Sequence, residues 1–270
     1  MGAHLHLIDH YLRIKSPIHS LDGRLKLIFT LAFIFCTSLL PTGSWAAYVF
    51  LFCILLSLML VAEIKFSYLL KRSAIFLPFL MAAFPIIFDK TGVTLALFSI
   101  HELEVIVSQN GILQFASLCV KAWLTVTAAI LLASTTSFTE LLQAMRSLKV
   151  PPLLVSVFGL MWRYMHLMVD EVDRLTRARL SRSSTIPELR SHTGGTLAWR
   201  ARVTGSMAGN LFIRSLERSE HVYQAMLSRG YDGEIRALGV TAPSRKEILL
   251  LVVAIMIMCL LSFLFSLPPI

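Results

Sequence analysis

Two arginines in this chain are each flanked by two small residues. They form the triplets Ser181-Arg182-Ser183 and Ser228-Arg229-Gly230. A guanidinium group is a planar fork of N–H donors that binds carboxylates or backbone carbonyls of another protein, and small neighbours leave that fork unobstructed. The two triplets therefore indicate docking onto a protein partner and not catalysis.

An arginine at the end of a helix also complements the helix dipole while it faces water, and this explanation suffices for either arginine alone. Here, however, both triplets lie near the ends of long, charged segments that contain few helix-breaking residues, 152–183 and 199–234. We therefore expect two helices of similar length that each deliver one arginine to a defined position.

Residues 152–183 are predicted to form the first of these helices. Apolar side chains recur there at steps of three and four residues, which places them along one continuous seam. The seam consists of Val157, Met161, Tyr164, Met168, Val172 and Leu175. At about 1.5 Å per residue the helix would be roughly 45 Å long, so we place it along or beneath a membrane and outside the transmembrane bundle.

The second helix follows a glycine-containing linker at 188–198. Its predicted seam consists of Phe212, Leu216, Tyr223 and Leu227. Gly205 and Gly209 are four residues apart, a spacing of small residues that lets two helices approach closely. Gly230 suits the left-handed cap at the end of a helix, so Arg229 would project from a defined helix end.

The composition of the chain is that of an integral membrane protein. Of its 270 residues, 56% are hydrophobic and 15% are charged, and the mean hydropathy is +0.72. The net charge of +9 lies in blocks between apolar spans, as membrane topology requires, and we therefore expect no nucleic-acid partner.

We predict an all-α integral membrane protein with about five transmembrane helices and two long cytoplasmic helices. The predicted spans are 25–40, 45–62, 74–88, 113–133 and 248–267. A basic amphipathic segment, 63–73, and a loop, 89–112, connect three of them. The chain is thereby divided into residues 1–133 with the tail and four spans, 134–246 with the cytoplasmic helices, and 247–270 with the last span.

The basic residues are distributed very unevenly between the two sides of the predicted membrane. With the N-terminus inside, 25 Lys and Arg residues all fall on the cytoplasmic side except Lys90 and Lys121. The positive-inside rule then predicts a multi-pass protein of a bacterial-type cytoplasmic membrane with a cytoplasmic N-terminus. Lys121 lies within the fourth span, where it either extends to the surface or contacts a partner subunit.

The remaining candidate ligands indicate no resident metal. The cysteines lie singly within apolar stretches and are expected to be buried, without a disulfide framework: Cys36, Cys53, Cys119 and Cys259. After removal of Met1, the N-terminus and His4 could bind Ni(II) or Cu(II). A polar tail at the membrane surface is the simpler interpretation, and we predict that the chain itself binds no metal.

Four stretches carry a family resemblance. They are residues 18–27 (IHSLDGRLKL), Arg163-Tyr164 with Glu171, residues 211–218 (LFIRSLER) and residues 225–234 (AMLSRGYDGE). They resemble the transmembrane T component of energy-coupling factor (ECF) transporters, specifically its cobalt-type CbiQ family. The resemblance covers essentially the whole chain, and the last two stretches are specific.

In that family, two cytoplasmic coupling helices end in X-Arg-X motifs that sit in grooves of two ATPase subunits, and a separate S component carries the substrate. The resemblance implies that the residues binding two ABC-type ATPase subunits are Ser181, Arg182, Ser183, Ser228, Arg229 and Gly230. It also implies that a membrane-embedded S component is a partner of this chain, and it allows a small accessory membrane subunit as a further partner. ATP and Mg²⁺ would bind to the ATPase subunits, and Co(II) would be the transported substrate.

The chain departs from the family pattern in detail. The family triplets are typically Ala-Arg-Gly, and Gly23 stands where the family usually has proline. No glycine is followed by lysine, so there is no P-loop, and we expect this chain not to be an enzyme. One alternative is the same role in a nickel or vitamin importer. A second is a stand-alone secondary transporter, but we find no internal repeat in the transmembrane part. A third is a membrane enzyme, but the predicted spans contain almost no acidic residues.

Overall fold

The computed structural model describes residues 16–74, 78, 81, 83–88, 94–100, 103–182, 196–233 and 244–266. The chain divides into two units, Met1–Ser147 with Val240–Ile270, and Leu148–Gly239. Residues 134–147 and 240–246, which we assigned to the cytoplasmic region, are grouped with the first unit, and the assignment of the ranges to sides of the membrane stays a prediction. Ser183, the N-terminal histidines and most of the predicted linker at 188–198 lie outside the described residues.

The described part of the chain is mainly helical. In chain order its elements are α1 (Pro17–Ser20), α2 (Gly23–Leu39), α3 (Trp45–Val61), α4 (Phe66–Ser73), a 3-10 helix at Phe84–Phe88, β1 (Thr94–Ile100), β2 (Leu103–Ser108), α5 (Gln109–Thr135), α6 (Phe138–Ser147), α7 (Pro152–Arg182), α8 (Leu197–Leu227) and α9 (Arg245–Ser266). Helices α7 and α8 form the second unit, and the other elements belong to the first.

The prediction of a helical membrane protein is confirmed. Helices α2, α3, α5 and α9 coincide with four of the predicted spans. Within the described residues, α5 and α7 are long and apolar enough to cross a membrane, and α3 is a shorter apolar helix. The predicted span at 74–88 lies partly outside the described residues. The cytoplasmic position of α7 therefore stays a prediction, since its composition also permits a span.

One local element differs from the sequence prediction. The segment that we expected to be a loop, 89–112, contains an antiparallel hairpin in which β1 pairs with β2, from Thr94 opposite Ser108 to Ile100 opposite Leu103. Both strands are rich in β-branched and aromatic residues, which favour extended backbone. A two-stranded hairpin thus supplements the helical architecture.

The start of α2 is determined by two neighbouring residues. Asp22 precedes the helix, and its carboxylate accepts a hydrogen bond of 3.0 Å from the backbone N–H of Arg24, which caps the N-terminus. A Cβ atom on Gly23 would lie 3.2 Å from Cβ of Glu140 and 3.4 Å from Cγ2 of Thr136. Glycine at this position therefore lets α2 begin in close contact with the end of α5 and the start of α6.

Two lysines join α2 and α5 at both ends of their contact. Nζ of Lys26, on α2, donates to the carbonyl oxygens of Thr135 at 3.0 Å and His19 at 3.2 Å. Nζ of Lys121, on α5, donates to the carbonyl oxygen of Leu40, the residue that follows α2. Each helix thus supplies a lysine to the last carbonyls of the other, and the two helices are antiparallel. Lys121 thus has an acceptor within the chain, at the end of the first predicted span.

The core of the first unit surrounds α2, which packs against α5, α6 and α9. The largest buried side chains come from four helices: Phe33, Tyr48, Leu51, Leu124 and Met258. Buried hydroxyl groups donate hydrogen bonds to carbonyl oxygens of their own helices. Thr37 donates to the Phe33 carbonyl at 2.7 Å, and Thr127 donates to the Trp123 carbonyl at 2.8 Å. These internal bonds satisfy polar groups where no water is present.

The cysteines are not all isolated in space. Sγ of Cys36, on α2, lies 3.5 Å from Sγ of Cys259, on α9. The sequence separation of 223 residues concealed this contact. Cys36 is buried as predicted, whereas Cys53 and Cys259 are exposed, which corrects the expectation that all four would be buried. A residue exposed in the isolated chain but on a membrane helix faces lipid or another subunit.

We predict that Lys26→Met and Lys121→Met each destabilise the folded protein by about 1–3 kcal/mol, because the helix-end carbonyls lose their donor in apolar surroundings. Thermal unfolding in detergent measures the effect. Lys246→Met, which removes an exposed lysine at the start of α9, serves as the control and should leave the melting temperature unchanged. Equal melting temperatures for all variants would contradict the capping role.

The contact between α2 and α9 predicts a specific cross-link. Mild oxidation with copper phenanthroline should join Cys36 to Cys259, detected after denaturation by the protection of two thiols from a maleimide reagent of high mass. Protection should vanish in both Cys36→Ser and Cys259→Ser but persist in Cys53→Ser. Full thiol accessibility in the wild type after oxidation would place α9 elsewhere.

Candidate functional site

Arg182 is the last residue of α7, and its side chain is exposed. The preceding Ser181 folds its hydroxyl back to donate to the Ala178 carbonyl at 2.9 Å. The Ser181 hydroxyl is therefore bound to its own helix and not to the guanidinium group of Arg182. Within the described residues, which end here at Arg182, the first arginine stands at the end of a helix with an exposed side chain.

Arg229 occupies a defined turn that ends α8. The backbone N–H of Tyr231 donates to the Met226 carbonyl at 3.0 Å, and that of Gly230 donates to the Leu227 carbonyl at 2.9 Å. Gly230 has a φ angle of +80°, in the left-handed region that favours glycine. These features define a Schellman motif and confirm the predicted glycine cap. The motif fixes the backbone on both sides of Arg229, whose side chain is exposed.

Helices α7 and α8 are antiparallel neighbours. Nη1 of Arg214, on α8, lies 2.6 Å from Oε1 of Glu171, on α7. Nη1 of Arg179 donates to Oγ1 of Thr204 at 3.2 Å. Along these contacts the residue numbers fall on one helix as they rise on the other. Glu171 and Arg214 both belong to the stretches that carry the family resemblance, but the sequence did not indicate that they form an ion pair.

The antiparallel arrangement separates the two candidate docking residues. Arg182 lies beside the Arg179–Thr204 contact, whereas Arg229 lies beyond the other end of the pair, near the level of the start of α7. Some 27 residues of helix between these levels correspond to roughly 40 Å. The helix pair therefore presents one arginine at each end, and a single small ligand cannot contact both.

Only part of each predicted seam lies between the two helices. On α7, Tyr164 and Met168 are half-buried, whereas Val157 and Met161 are both 52% exposed. A groove of about 480 Å³ runs between the helices, and Tyr164 and Met168 line it from α7. Tyr223 also lines this groove, although its side chain is 56% exposed.

The positions of α8 that are half-buried against α7 are each one residue before the predicted seam positions. Phe212 and Leu216 are 63% and 49% exposed, while their neighbours Leu211 and Ser215 are half-buried. A Cβ atom on Gly205 or Gly209 would have no neighbouring atom within 4 Å, so the described residues include no helix packed on this small-residue patch. Four predicted packing positions on α8 thus face outward.

The two arginines are available for an external partner. Among the described residues, the ion pairs of this unit join Glu171 to Arg174 and Arg214, and none includes Arg182 or Arg229. A guanidinium group at the end of a rigid helix retains its full set of donors for carboxylate or carbonyl oxygens. The arrangement suits binding of two protein surfaces.

Comparison with known proteins decides the family. Residues 14–238, which include both arginine triplets, match the family described as "Cobalt transport protein" and named CbiQ. The chain belongs to the CbiQ family. The expectation from the sequence resemblance is thereby confirmed.

Individual relatives extend this CbiQ assignment. The chain is 28% identical over 242 residues to the energy-coupling factor transporter transmembrane protein EcfT of Staphylococcus aureus, with 85% of each chain covered. It is 26% identical over 196 residues to the cobalt transport protein CbiQ of Rhodobacter capsulatus, covering 72% of this chain and 75% of the relative. An uncharacterised protein of Methanocaldococcus jannaschii is 27% identical over 256 residues, covering 94% and 84%.

Two glycines, Gly205 within α8 and Gly230 in the turn that ends it, give a matched pair of predictions. Gly205→Ala should stabilise the isolated protein by up to about 1 kcal/mol, because it lies in a helix interior with open space around it. Gly230→Ala should destabilise it by about 1–2 kcal/mol, because its φ angle of +80° is unfavourable for a residue with a Cβ atom. Thermal unfolding measures both. Opposite signs are the expected result, and a destabilising Gly205→Ala would show that α8 packs closely there.

Proposed function

We propose that this chain is the transmembrane coupling (T) subunit of an ECF-type ABC importer for cobalt ions. The observation that carries the proposal is the presence of one exposed arginine at each end of an antiparallel helix pair, in a membrane protein of the CbiQ family. In this role Arg182 and Arg229, with the small residues beside them, each bind one of two ABC-type ATPase subunits.

The separation of the arginines supports two partners instead of one. At roughly 40 Å apart, the two guanidinium groups reach different subunits of an ATPase pair. ATP and Mg²⁺ bind to those subunits, and this chain hydrolyses no ATP. The ATPase subunits are cytoplasmic, so α7 and α8 lie at the cytoplasmic side, in agreement with a cytoplasmic N-terminus.

Transmission of movement requires the helix pair to move as one body. The Glu171–Arg214 ion pair and the Arg179–Thr204 hydrogen bond connect α7 with α8 at two levels. When ATP binding closes the ATPase subunits, their grooves move together, and the arginines transfer that displacement to the helix pair. Rigid-body movement of this kind belongs to the hinge and shear class of domain motions.

A separate S component carries the substrate in this proposal. The outward stripe on α8, with Phe212 and Leu216 more than two-fifths exposed, provides an apolar surface for a partner in the membrane. The family description and the name of the Rhodobacter capsulatus relative support Co(II) as the transported ion. Nickel or a vitamin is the alternative, because the S component and not this chain selects the substrate.

The test is co-purification of the full chain from native membranes in mild detergent. The wild type should recover P-loop ATPase subunits and a further membrane protein, and mass spectrometry identifies both. Arg182→Glu and Arg229→Glu should each weaken recovery of the ATPase subunits at least about ten-fold, because a carboxylate repels the acceptor oxygens. The double variant should recover none.

The matched control is Arg218→Glu, which makes the same charge change at an exposed position within α8, between the levels of the two triplets. It should recover the ATPase subunits at the wild-type level. If the triplet variants recover them equally well while remaining folded, the arginines are ordinary helix ends and the coupling role is wrong. Metal bound to the recovered membrane partner, measured by elemental analysis, distinguishes cobalt from nickel, and its absence favours a vitamin.

A further inference from the structure

The first unit has a surface of basic and apolar side chains on α4 that has no part in the proposed binding of ATPase subunits. Helix α4 and the residue before it supply the basic side chains Lys65, Lys71 and Arg72, and Glu63 is the acidic residue of the segment 63–74. Lys65 and Lys71 are exposed, and Arg72 is half-buried. The guanidinium of Arg72 lies 5.9 Å from the ring centroid of Tyr68 and donates to its hydroxyl at 3.1 Å, so its position is held.

The same short helix also has two kinds of apolar side chain. Leu69 is 5% exposed and faces the core, whereas Phe66 and Leu70 are 44% and 51% exposed. A helix with a buried stripe, an exposed apolar stripe and several basic residues is typical of one that lies in the membrane interface. The exposed apolar side chains enter the acyl region while the basic side chains reach the headgroups.

Beneath α4 lies a narrow apolar crevice, shared with α3 and α5, whose volume of about 20 Å³ is too small for an acyl chain. It is lined by Phe52 and Met59 from α3, Phe66 and Leu69 from α4, and Trp123 and Thr127 from α5. Trp123 is central to it: its ring centroid is 5.6 Å from that of Phe52, and its Nε1 donates to Oγ of Ser73 at 3.3 Å. The indole thus ties the end of α4 to α5 at the edge of the crevice.

We propose that the exposed face of α4 forms a binding site for an anionic phospholipid. The headgroup phosphate contacts the Lys71–Arg72 pair, with Lys65 adding to the positive potential, and an acyl chain lies over the exposed Phe66 and Leu70, close to Trp123. A soluble protein partner fits less well, because the basic residues adjoin side chains suited to hydrocarbon. A zwitterionic lipid lacks the net charge that basic residues select.

The test uses the position of Trp123 as a reporter. The full chain, with Trp45, Trp162 and Trp199 replaced by phenylalanine, is reconstituted into bilayers that contain brominated phosphatidylglycerol or brominated phosphatidylcholine at equal mole fraction. Bromine quenches tryptophan fluorescence only on close approach. We expect apparent affinity for phosphatidylglycerol about five-fold above that for phosphatidylcholine, and a loss of the difference at high salt.

Two pairs of consecutive basic residues, one on α4 and one at the start of α9, provide a matched comparison. Lys71→Gln with Arg72→Gln should abolish the preference for phosphatidylglycerol, while Arg245→Gln with Lys246→Gln, an exposed pair at the start of α9, should preserve it. Equal quenching by the two lipids in the wild type would overturn the proposal. Loss of the preference in both double variants would overturn it too, because it would reflect overall charge and not a site on α4.

The salt dependence of the wild type tests the proposal even if the α4 variant does not fold. A preference for phosphatidylglycerol that survives high salt would contradict binding through lysine and arginine. Inorganic phosphate at tens of millimolar should leave the quenching by phosphatidylglycerol unchanged, because a free ion lacks the acyl chain. Complete displacement by phosphate would contradict a lipid site.

Discussion

The membrane unit depends on two reciprocal contacts, in which Lys26 of α2 binds the end of α5 and Lys121 of α5 binds the end of α2. The last carbonyls of a helix have no partner within that helix, and in apolar surroundings an unpaired carbonyl is costly. Because α2 and α5 are antiparallel, one lysine on each helix reaches the end of the other. Helix α2 also packs against α6 and α9, so these contacts fix the helix around which the core forms.

The second unit obeys a different constraint. Its two helices are 31 residues each and share a narrow contact, in which an ion pair and a hydrogen bond align them. The antiparallel alignment carries the two arginine ends away from each other. This geometry suits a function that needs two separated contacts on one element, and it does not suit a function that needs both arginines in one pocket.

The proposed lipid site and the proposed coupling site are chemically distinct. The arginines of the triplets stand on helix ends with small neighbours, where a protein groove can enclose them. The basic residues of α4 adjoin exposed Phe66 and Leu70, where a protein groove would have to accommodate apolar side chains as well. The surroundings of a basic residue, more than its charge, indicate its partner.

The sequence alone determined the features that depend on neighbouring residues. The predicted helix at 152–183 matches Pro152–Arg182, and the second predicted span matches Trp45–Val61, because apolar periodicity and length are local properties. The left-handed turn at Gly230 was predicted for the same reason, since only a few adjacent residues decide it. Family membership followed from short stretches that a single chain displays.

Tertiary structure decided which of several available partners each residue meets. The sequence did not show which carbonyl Lys121 meets, which is that of Leu40, 81 residues away, or that Cys36 meets Cys259 across 223 residues. Helix α8 has apolar residues on adjacent stripes, and only the position of α7 selects Leu211 and Ser215 over Phe212 and Leu216. Periodicity defines a face of a helix, whereas contact with another element determines which face is buried.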